Sequence, residues 1–171
     1  GALHCDRFTN AALANPPILP STAVDSSEFM LSNFTGSASV SGVLLFDNIS
    51  APFFAFDCSF GGGQIAYVWI NDHLVCHTDP PFGNAPGSTD GSRSNPLPRP
   101  TTNASTILIH ISSSSLDGTG AITSGTTASV RVRWAALKRP GELEAPWTSI
   151  PSSVLSPATP ALEQQRRSLQ D

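Results

Sequence analysis

The sequence predicts an all-β protein, an antiparallel β-sandwich or barrel with long loops. Its composition is the first observation: 13% of the 171 residues are charged, 39% are hydrophobic, and 13 glycines and 15 prolines supply many turns. This balance favours short strands over long helices. The second observation is that several segments alternate apolar and polar residues, and the third is that turn-forming residues separate them. A chain of this length can bury one hydrophobic core.

The N-terminal residues 1–38 have no sustained periodicity and contain Pro16, Pro17 and Pro20. They are expected to form an extended arm with one edge strand at most. The first clear strand is predicted from Ser39 to Phe46, where the alternation begins, and Asp47-Asn48 supplies the turn after it.

The segment from Pro52 to Thr78 predicts a three-stranded antiparallel meander. Its first strand alternates, which places one set of side chains in the core: Phe54, Phe56, Cys58 and Phe60. Gly61-Gly62-Gly63 then turns the chain into 64–70, and Asn71-Asp72 turns it into 73–78.

Residues 79–104 are rich in proline, glycine and asparagine, so a long loop without regular structure is expected there. Strands are predicted again at Ser105–Ile111 and at Val130–Trp134. Residues 138–171 are expected to be a Pro-rich linker and the start of a short C-terminal helix, capped by Thr159, that leads to or docks on an adjoining domain. The sandwich itself is assigned to residues 39–137.

Charge and hydropathy exclude two classes of partner. The net charge is −4, and the basic residues are scattered, which argues against nucleic acid. The longest apolar runs, such as 43–46, are far shorter than the ~18 residues of a membrane span.

The expected compartment is extracellular or the cell surface, because three sequons for N-glycosylation occur, at Asn33, Asn48 and Asn103. The chain begins at Gly1, as a processed product or a fragment would.

Three cysteines allow one disulfide. In a meander, Cys58 and Cys76 lie on its two outer strands, about 9.5 Å apart, too far to be bridged. The expected bond therefore joins Cys5 to Cys58 or to Cys76. A zinc site at His73, Cys76 and His77 is disfavoured, because residues four apart on a strand lie about 13 Å from each other.

No residue pattern indicates catalysis. There is no Gly-x-Ser-x-Gly elbow, and the acidic residues are spread over turns and a loop, as on any solvated rim. Tyr67 and Trp69 share one face of a strand and are expected to pack in the core or between sheets rather than stack on a sugar ring. Phe82 in the long loop is open to either a packing or a sugar-stacking role.

The segments Phe54–Phe56, Gly61–Gly63 and Tyr67–Val75 resemble the centre of a PA14 domain, and the likeness extends over 39–137. In that family a strand and an acidic turn precede a Leu-Trp-Val-Asp-Gly-x-Leu-Val-like hairpin. Trp69, Ile70, Leu74 and Val75 match this hairpin, with Asn71-Asp72 in place of its Asp-Gly turn.

The resemblance implies a non-catalytic, carbohydrate-associated module of a larger secreted protein such as a glycoside hydrolase. Its partners would be a glycan or an adjoining domain of the same protein. A structural or adhesive protein-interaction module of a cell-surface assembly is the alternative. PA14 lectins of the adhesin type bind calcium through paired aspartates, and this chain has Gly61 and Gly62 there, so no cofactor is expected. Ligand contacts are predicted in the long loop, beside those glycines, at Asp79, Phe82, Asn84 and Asp90.

Overall fold

The computed structural model of the chain is a sandwich of two antiparallel β-sheets, which confirms the predicted fold class. The structure describes residues 1–9, 17–34, 36–47, 49–61, 65–78, 92–112, 126–142 and 146–157. Within these ranges, no helix has the length and apolar character needed to cross a membrane. The C-terminal helix expected after Thr159 lies outside them.

The strands follow one another in the order β1 to β13, with a single 3₁₀ turn at Ser152–Val154 among the described residues. Their bounds are Leu3–Phe8 (β1), Ile18–Val24 (β2), Glu28–Phe34 (β3), Ser37–Leu45 (β4), Phe53–Gly61 (β5), Ile65–Ile70 (β6), His73–His77 (β7), Ser92–Arg93 (β8), Leu97–Pro98 (β9), Ala104–Ser112 (β10), Thr126–Leu137 (β11), Thr148–Ser149 (β12) and Leu155–Ser156 (β13).

The strands divide into two sheets. Sheet A has the order β2-β1-β4-β10-β6-β7, and β13 also pairs with β4. Sheet B has the order β12-β11-β5-β8, with β3 beside β11 and β9 beside β5. The inward faces of the two sheets form one core, as the alternation predicts. Phe46, Phe54 and Trp134 meet there with ring centroids 4.8–5.7 Å apart.

The predicted meander is wrong in its first strand. Strand β5 does not pair with β6; it pairs with β11 over nine positions, from Phe53 opposite Leu137 to Gly61 opposite Ser129. The chain changes from sheet B to sheet A between Gly61 and Ile65. The alternation in β5 indicates which of its side chains face the core. Because strands of both sheets face that same core, the alternation does not identify the sheet or the neighbouring strand.

The sheet change also corrects the expected disulfide. Because β5 and β7 lie in opposite sheets, Cys58 and Cys76 face each other across the core, with Cα atoms 6.1 Å apart, and they are bonded. Cys5 is not bonded to either of them and is buried as a free thiol. Burial raises the pKa of the Cys5 thiol.

The first 38 residues form three strands rather than an extended arm. Strand β1 is an interior strand of sheet A, between β2 and β4, and β3 pairs with β11 in sheet B. After Lys138, where a linker was expected, β12 pairs with β11 and β13 with β4. The expected loop at 79–104 likewise contains β8 and β9, of two residues each.

Strands β1 and β13 share one side of β4. His4 of β1 lies opposite Ser41, and Ser156 of β13 lies opposite Val43, so the two strands meet end to end beside Gly42. A Cβ at Gly42 would collide with the carbonyl oxygen of Ser156 and the side chain of Leu3. Glycine is therefore required where the two strands converge.

Candidate functional site

The two ends of the sandwich differ. At one end, called here the loop end, lie Phe8, Gly61, Thr78 and Ser112, which precede the segments 10–16, 62–64, 79–91 and 113–125. At the opposite end, called the turn end, short connections such as Asn71-Asp72 join the strands. Segments held by strand ends on a rigid sandwich are the common place for binding residues.

The predicted ligand residues Asp79, Phe82, Asn84 and Asp90 lie outside the described residues, but both ends of their loop are described. Before the loop, the Thr78 amide donates to the carbonyl of Ala66 (3.0 Å). The Ala66 amide donates in turn to the Thr78 hydroxyl (2.7 Å). After the loop, Ser92 pairs with Cys58. The loop therefore starts in sheet A and ends in sheet B.

The disulfide holds the base of this loop. Cys76 lies two residues before Thr78, and its bonded partner Cys58 lies directly opposite Ser92. One covalent bridge thus fixes both flanks of residues 79–91 to each other. Cys76 carries no thiolate in this state, which removes it from the His73, Cys76 and His77 set considered for zinc.

A groove on the outer face of sheet B reaches the loop end. It measures about 690 Å³, within the range of small-ligand sites. The outward-facing residues that line it come from β3, β5 and β11: Glu28, Met30, Ser59, Gly61, Ser129 and Arg131. We call these six residues the β3–β11–β5 groove. The sequence predicts Gly61 beside the ligand site but not the other five residues, because no local pattern indicates that β3 pairs with β11.

The floor of the β3–β11–β5 groove is made of small residues. Ser129 lies opposite Gly61 on one side and opposite Met30 on the other. A Cβ at Gly61 would collide with the hydroxyl of Ser129, so the glycine leaves space in this part of the groove. Met30 rises beside it with 70% of its surface exposed. The groove therefore combines hydroxyl groups with an exposed apolar side chain.

Charged side chains form a row next to this floor. Glu28 accepts hydrogen bonds from the Nε of Arg133 (3.3 Å) and the hydroxyl of Ser149 (3.1 Å). Asp57 accepts one from the Nε of Arg93 (3.0 Å). Arg131 is 3.9 Å from Glu28, from Nε to Oε1. The Glu28 and Asp57 carboxylates are thus bound by arginine side chains.

Tyr67 and Trp69 are not in the core, contrary to expectation. Their neighbours Ala66, Val68 and Ile70 point inward and are buried, whereas the two aromatic rings lie on the outer face of sheet A. The rings stack with centroids 5.6 Å apart and planes 23° apart. Leu74, opposite Trp69, is 38% exposed. This pair is therefore a second candidate contact surface.

At the turn end, a smaller pocket of about 90 Å³ opens between the sheets, below the usual size of a ligand site. Asn71 closes one side of it: its side-chain oxygen accepts from the Thr106 amide (3.1 Å), and its side-chain nitrogen donates to the Ser105 hydroxyl (3.0 Å). The polar groups of the Asn71 side chain thus hold the turn in place.

The three sequons lie in different settings. Asn33 is in β3, and Asn48 lies outside the described residues. Asn103 is in the turn before β10, where its side-chain oxygen accepts a hydrogen bond from Arg99 (2.8 Å). Its amide nitrogen, the atom to which an N-linked glycan is attached, does not take part in that bond.

The turn considered above for calcium binding begins at Gly61. Gly61 ends β5 and offers no carboxylate, and residues 62–64 lie outside the described ranges. Among the residues that the structure does describe, no group of three or more His, Cys, Asp or Glu side chains could hold a metal ion.

No family model and no curated protein sequence matches the chain, but solved structures do. One is an anti-sigma factor domain-containing protein from Clostridium clariflavum, at TM-score 0.59 and 15% identity over 92% of this chain and 47% of that one. Another is a PA14 sugar-binding domain from an RTX adhesin, at TM-score 0.54 and 10% identity over 91% and 97%. A third is a beta-glucosidase from Kluyveromyces marxianus, at TM-score 0.54 and 14% identity over 76% and 17%.

These matches show the fold. The sandwich is of the PA14 type, as the segments Phe54–Phe56 and Tyr67–Val75 predict. The chain spans about half the length of the anti-sigma factor domain-containing proteins and a small part of the beta-glucosidase.

Proposed function

We propose that this PA14-type sandwich is a non-catalytic, carbohydrate-associated module of a larger secreted protein, such as a glycoside hydrolase, and that it binds glycan at its loop end. The observation that carries the proposal is a convergence. The β3–β11–β5 groove opens at the same end of the sandwich as the two anchors of the 79–91 loop. The groove and both flanks of the segment predicted to contact the ligand thus lie at one end of the sandwich.

The chemistry of the groove supports sugar as the ligand. Sugar rings offer hydroxyl groups at their edges and apolar C–H faces, and the groove offers hydroxyls from Ser59 and Ser129 beside the apolar side chain of Met30. Phe82, in the loop, would add an aromatic face. The carboxylates Glu28 and Asp57 are engaged by arginines, which fits binding better than proton transfer.

The comparisons support the carbohydrate link and the larger host. One similar structure is described as a sugar-binding domain, and another is a beta-glucosidase of which this fold matches 17%. The Cys58–Cys76 disulfide and the three sequons support an oxidising, extracellular location.

The loop contribution is tested with the double variant Phe82→Ala and Asp90→Ala on a glycan array. Binding is expected to fall at least about tenfold, because an aromatic contact and a polar contact are lost together. The melting temperature is expected to stay within about 2 °C. The matched control is Asp47→Ala, an exposed acid at the turn end, which should bind as the parent does. Unchanged binding, or a collapse in stability, would assign the loop residues to the scaffold.

The groove is tested separately with Gly61→Ala. The added methyl group raises the floor, and the Ser129 hydroxyl can rotate away from it, so binding should weaken while the fold persists. Gly141→Ala is the control, because nothing lies within 4 Å of a Cβ there. Equal binding by both variants would exclude the groove as the site.

The second candidate is a structural or adhesive module that binds a protein. The stacked Tyr67 and Trp69 rings and the exposed Leu74 on the outer face of sheet A favour it. Trp69→Ala separates the two functions. Loss of attachment to the native assembly with unchanged glycan binding supports the protein-interaction role, and unchanged attachment contradicts it.

A further inference from the structure

We infer that the glycan bound at the β3–β11–β5 groove is acidic, with a sugar carboxylate seated against Arg131. This inference rests on the proposed function and names the ligand class of the same site. It starts from the charge on the outer face of sheet B. Three arginines, Arg93, Arg131 and Arg133, are paired there with two carboxylates, those of Glu28 and Asp57, so one positive charge is in excess within this cluster of five side chains. The chain as a whole has a net charge of −4.

The two carboxylates are committed to two of the three arginines. Glu28 lies 3.3 Å from the Nε of Arg133 and also accepts from Ser149, and Asp57 lies 3.0 Å from the Nε of Arg93. The contact between Arg131 and Glu28, at 3.9 Å, is beyond hydrogen-bond distance. Within the part of the chain that the structure describes, this loose pair is the one ionic contact of Arg131. Its guanidinium donors are thus available to a ligand.

Arg131 is also the arginine that lines the groove. Its side chain is 53% exposed. Arg131 lies on β11 opposite Ser59, and it is the next outward-facing residue of that strand after Ser129. A guanidinium group binds a carboxylate through two parallel hydrogen bonds, and such charge-assisted bonds are about twice as strong as neutral ones. A sugar carboxylate would therefore take the Arg131 donors while its hydroxyls reach the two serines.

A neutral sugar would use the same groove less well. It offers no anionic partner to Arg131, whose charge would then be partly desolvated by the bound ring with only the loose contact to Glu28 as compensation. The groove should therefore prefer a uronate over the same sugar with its carboxyl group reduced to an alcohol. This comparison changes the charge and leaves the ring unchanged.

The experiment measures the full chain, with its disulfide formed, against oligosaccharides of galacturonate, glucuronate and mannuronate, each beside its carboxyl-reduced counterpart. At least one acidic oligosaccharide is expected to bind about tenfold more tightly than its reduced form. That preference should weaken as salt is raised. Arg131→Gln should remove the preference and leave the weaker binding of the reduced form. Arg93→Gln, a control on the same face outside the groove, should retain it.

Each outcome has a distinct meaning. Equal affinity for acidic and reduced forms, or an equal loss of preference in Arg93→Gln and Arg131→Gln, overturns the assignment of Arg131 and leaves the proposed function standing. Absence of binding to both forms of every oligosaccharide, and to neutral glycans on an array, overturns both. A melting temperature of Arg131→Gln close to that of the parent verifies that any loss comes from the site.

Discussion

The two residues at the tip of the β6–β7 hairpin, Asn71 and Asp72, contribute unequally to the stability of the turn. Asn71 and Asp72 both have positive φ, 48° and 65°, as a two-residue hairpin turn requires. The side chain of Asn71 stabilises this conformation through two hydrogen bonds, one to the Ser105 hydroxyl and one from the Thr106 amide. Asp72 is exposed, and its position favours glycine because a Cβ is disfavoured at positive φ.

We therefore expect Asp72→Gly to stabilise the protein. Glycine has no Cβ and so avoids the steric cost of the left-handed conformation. This gain outweighs the entropy that glycine adds to the unfolded chain, and the free energy of unfolding should rise by about 0.5–1 kcal/mol. Urea denaturation measures it. Asn71→Gly is the control and should destabilise, because its two hydrogen bonds are lost. Stabilisation by both variants would show that the Asn71 contacts contribute nothing.

The sequence predicts such residues unevenly. The turn at Asn71-Asp72 could be recognised because only a few residue types accept its dihedral angles. The exposure of Tyr67 and Trp69 could not, since alternation shows that they share a face but not which face is outward. Large aromatic side chains bury much apolar area when they pack inside a protein, so the core was the expectation for both.

At the scale of elements, the strands could be predicted but their partners could not. The alternation at Phe54–Phe60 and at Val130–Trp134 gives β5 and β11 correctly, and the two strands pair with each other. Their paired residues lie 68 to 84 positions apart in the sequence, from Gly61 opposite Ser129 to Phe53 opposite Leu137, and no local pattern encodes such a pairing. The disulfide prediction failed for the same reason: the meander placed Cys58 and Cys76 in one sheet, whereas they bridge two.

The Cys58–Cys76 bridge should contribute substantially to stability. It closes a loop with a sequence separation of 18, for which chain-entropy arguments give about 3 kcal/mol. The double variant Cys58→Ala and Cys76→Ala should lose about that much free energy of unfolding in urea. It should also bind glycan less well, because the flanks of the 79–91 loop are no longer fixed to each other. Reduction of the parent protein should reproduce both effects.

Thiol titration checks the pairing itself. The parent protein should show one thiol in denaturant without reductant, that of Cys5, and almost none when folded. Cys5 is buried, and its raised pKa keeps it in the unreactive protonated form at neutral pH. Three thiols in the denatured, unreduced protein, or an unaffected urea midpoint in the double variant, would contradict the assigned bridge.

Over the whole molecule, the two ends of the sandwich are built differently. The turn end has short connections such as Asn71-Asp72, and the rings of Phe46, Phe54 and Trp134 pack between the sheets near it. The loop end carries the groove and the anchors of residues 79–91. The class of fold could be predicted from composition and alternation. The groove could not, because it is assembled from β3, β5 and β11, which are far apart in the sequence.

The meeting of β1 and β13 beside Gly42 has a mechanical consequence. A force that pulls on Gly1 and Pro157 acts on β1 and on β13 at the strand end that lies next to Gly42. The hydrogen bonds that join these two strands to β4 therefore break one after another instead of all at once. In single-molecule stretching, the first rupture should therefore occur at low force. Reduction of the disulfide should leave that force unchanged, because the bridge joins β5 to β7. A first rupture that weakens on reduction would place the load elsewhere. Under tension, the sandwich would thus release β1 and β13 early and lengthen, while the disulfide keeps the two flanks of residues 79–91 together.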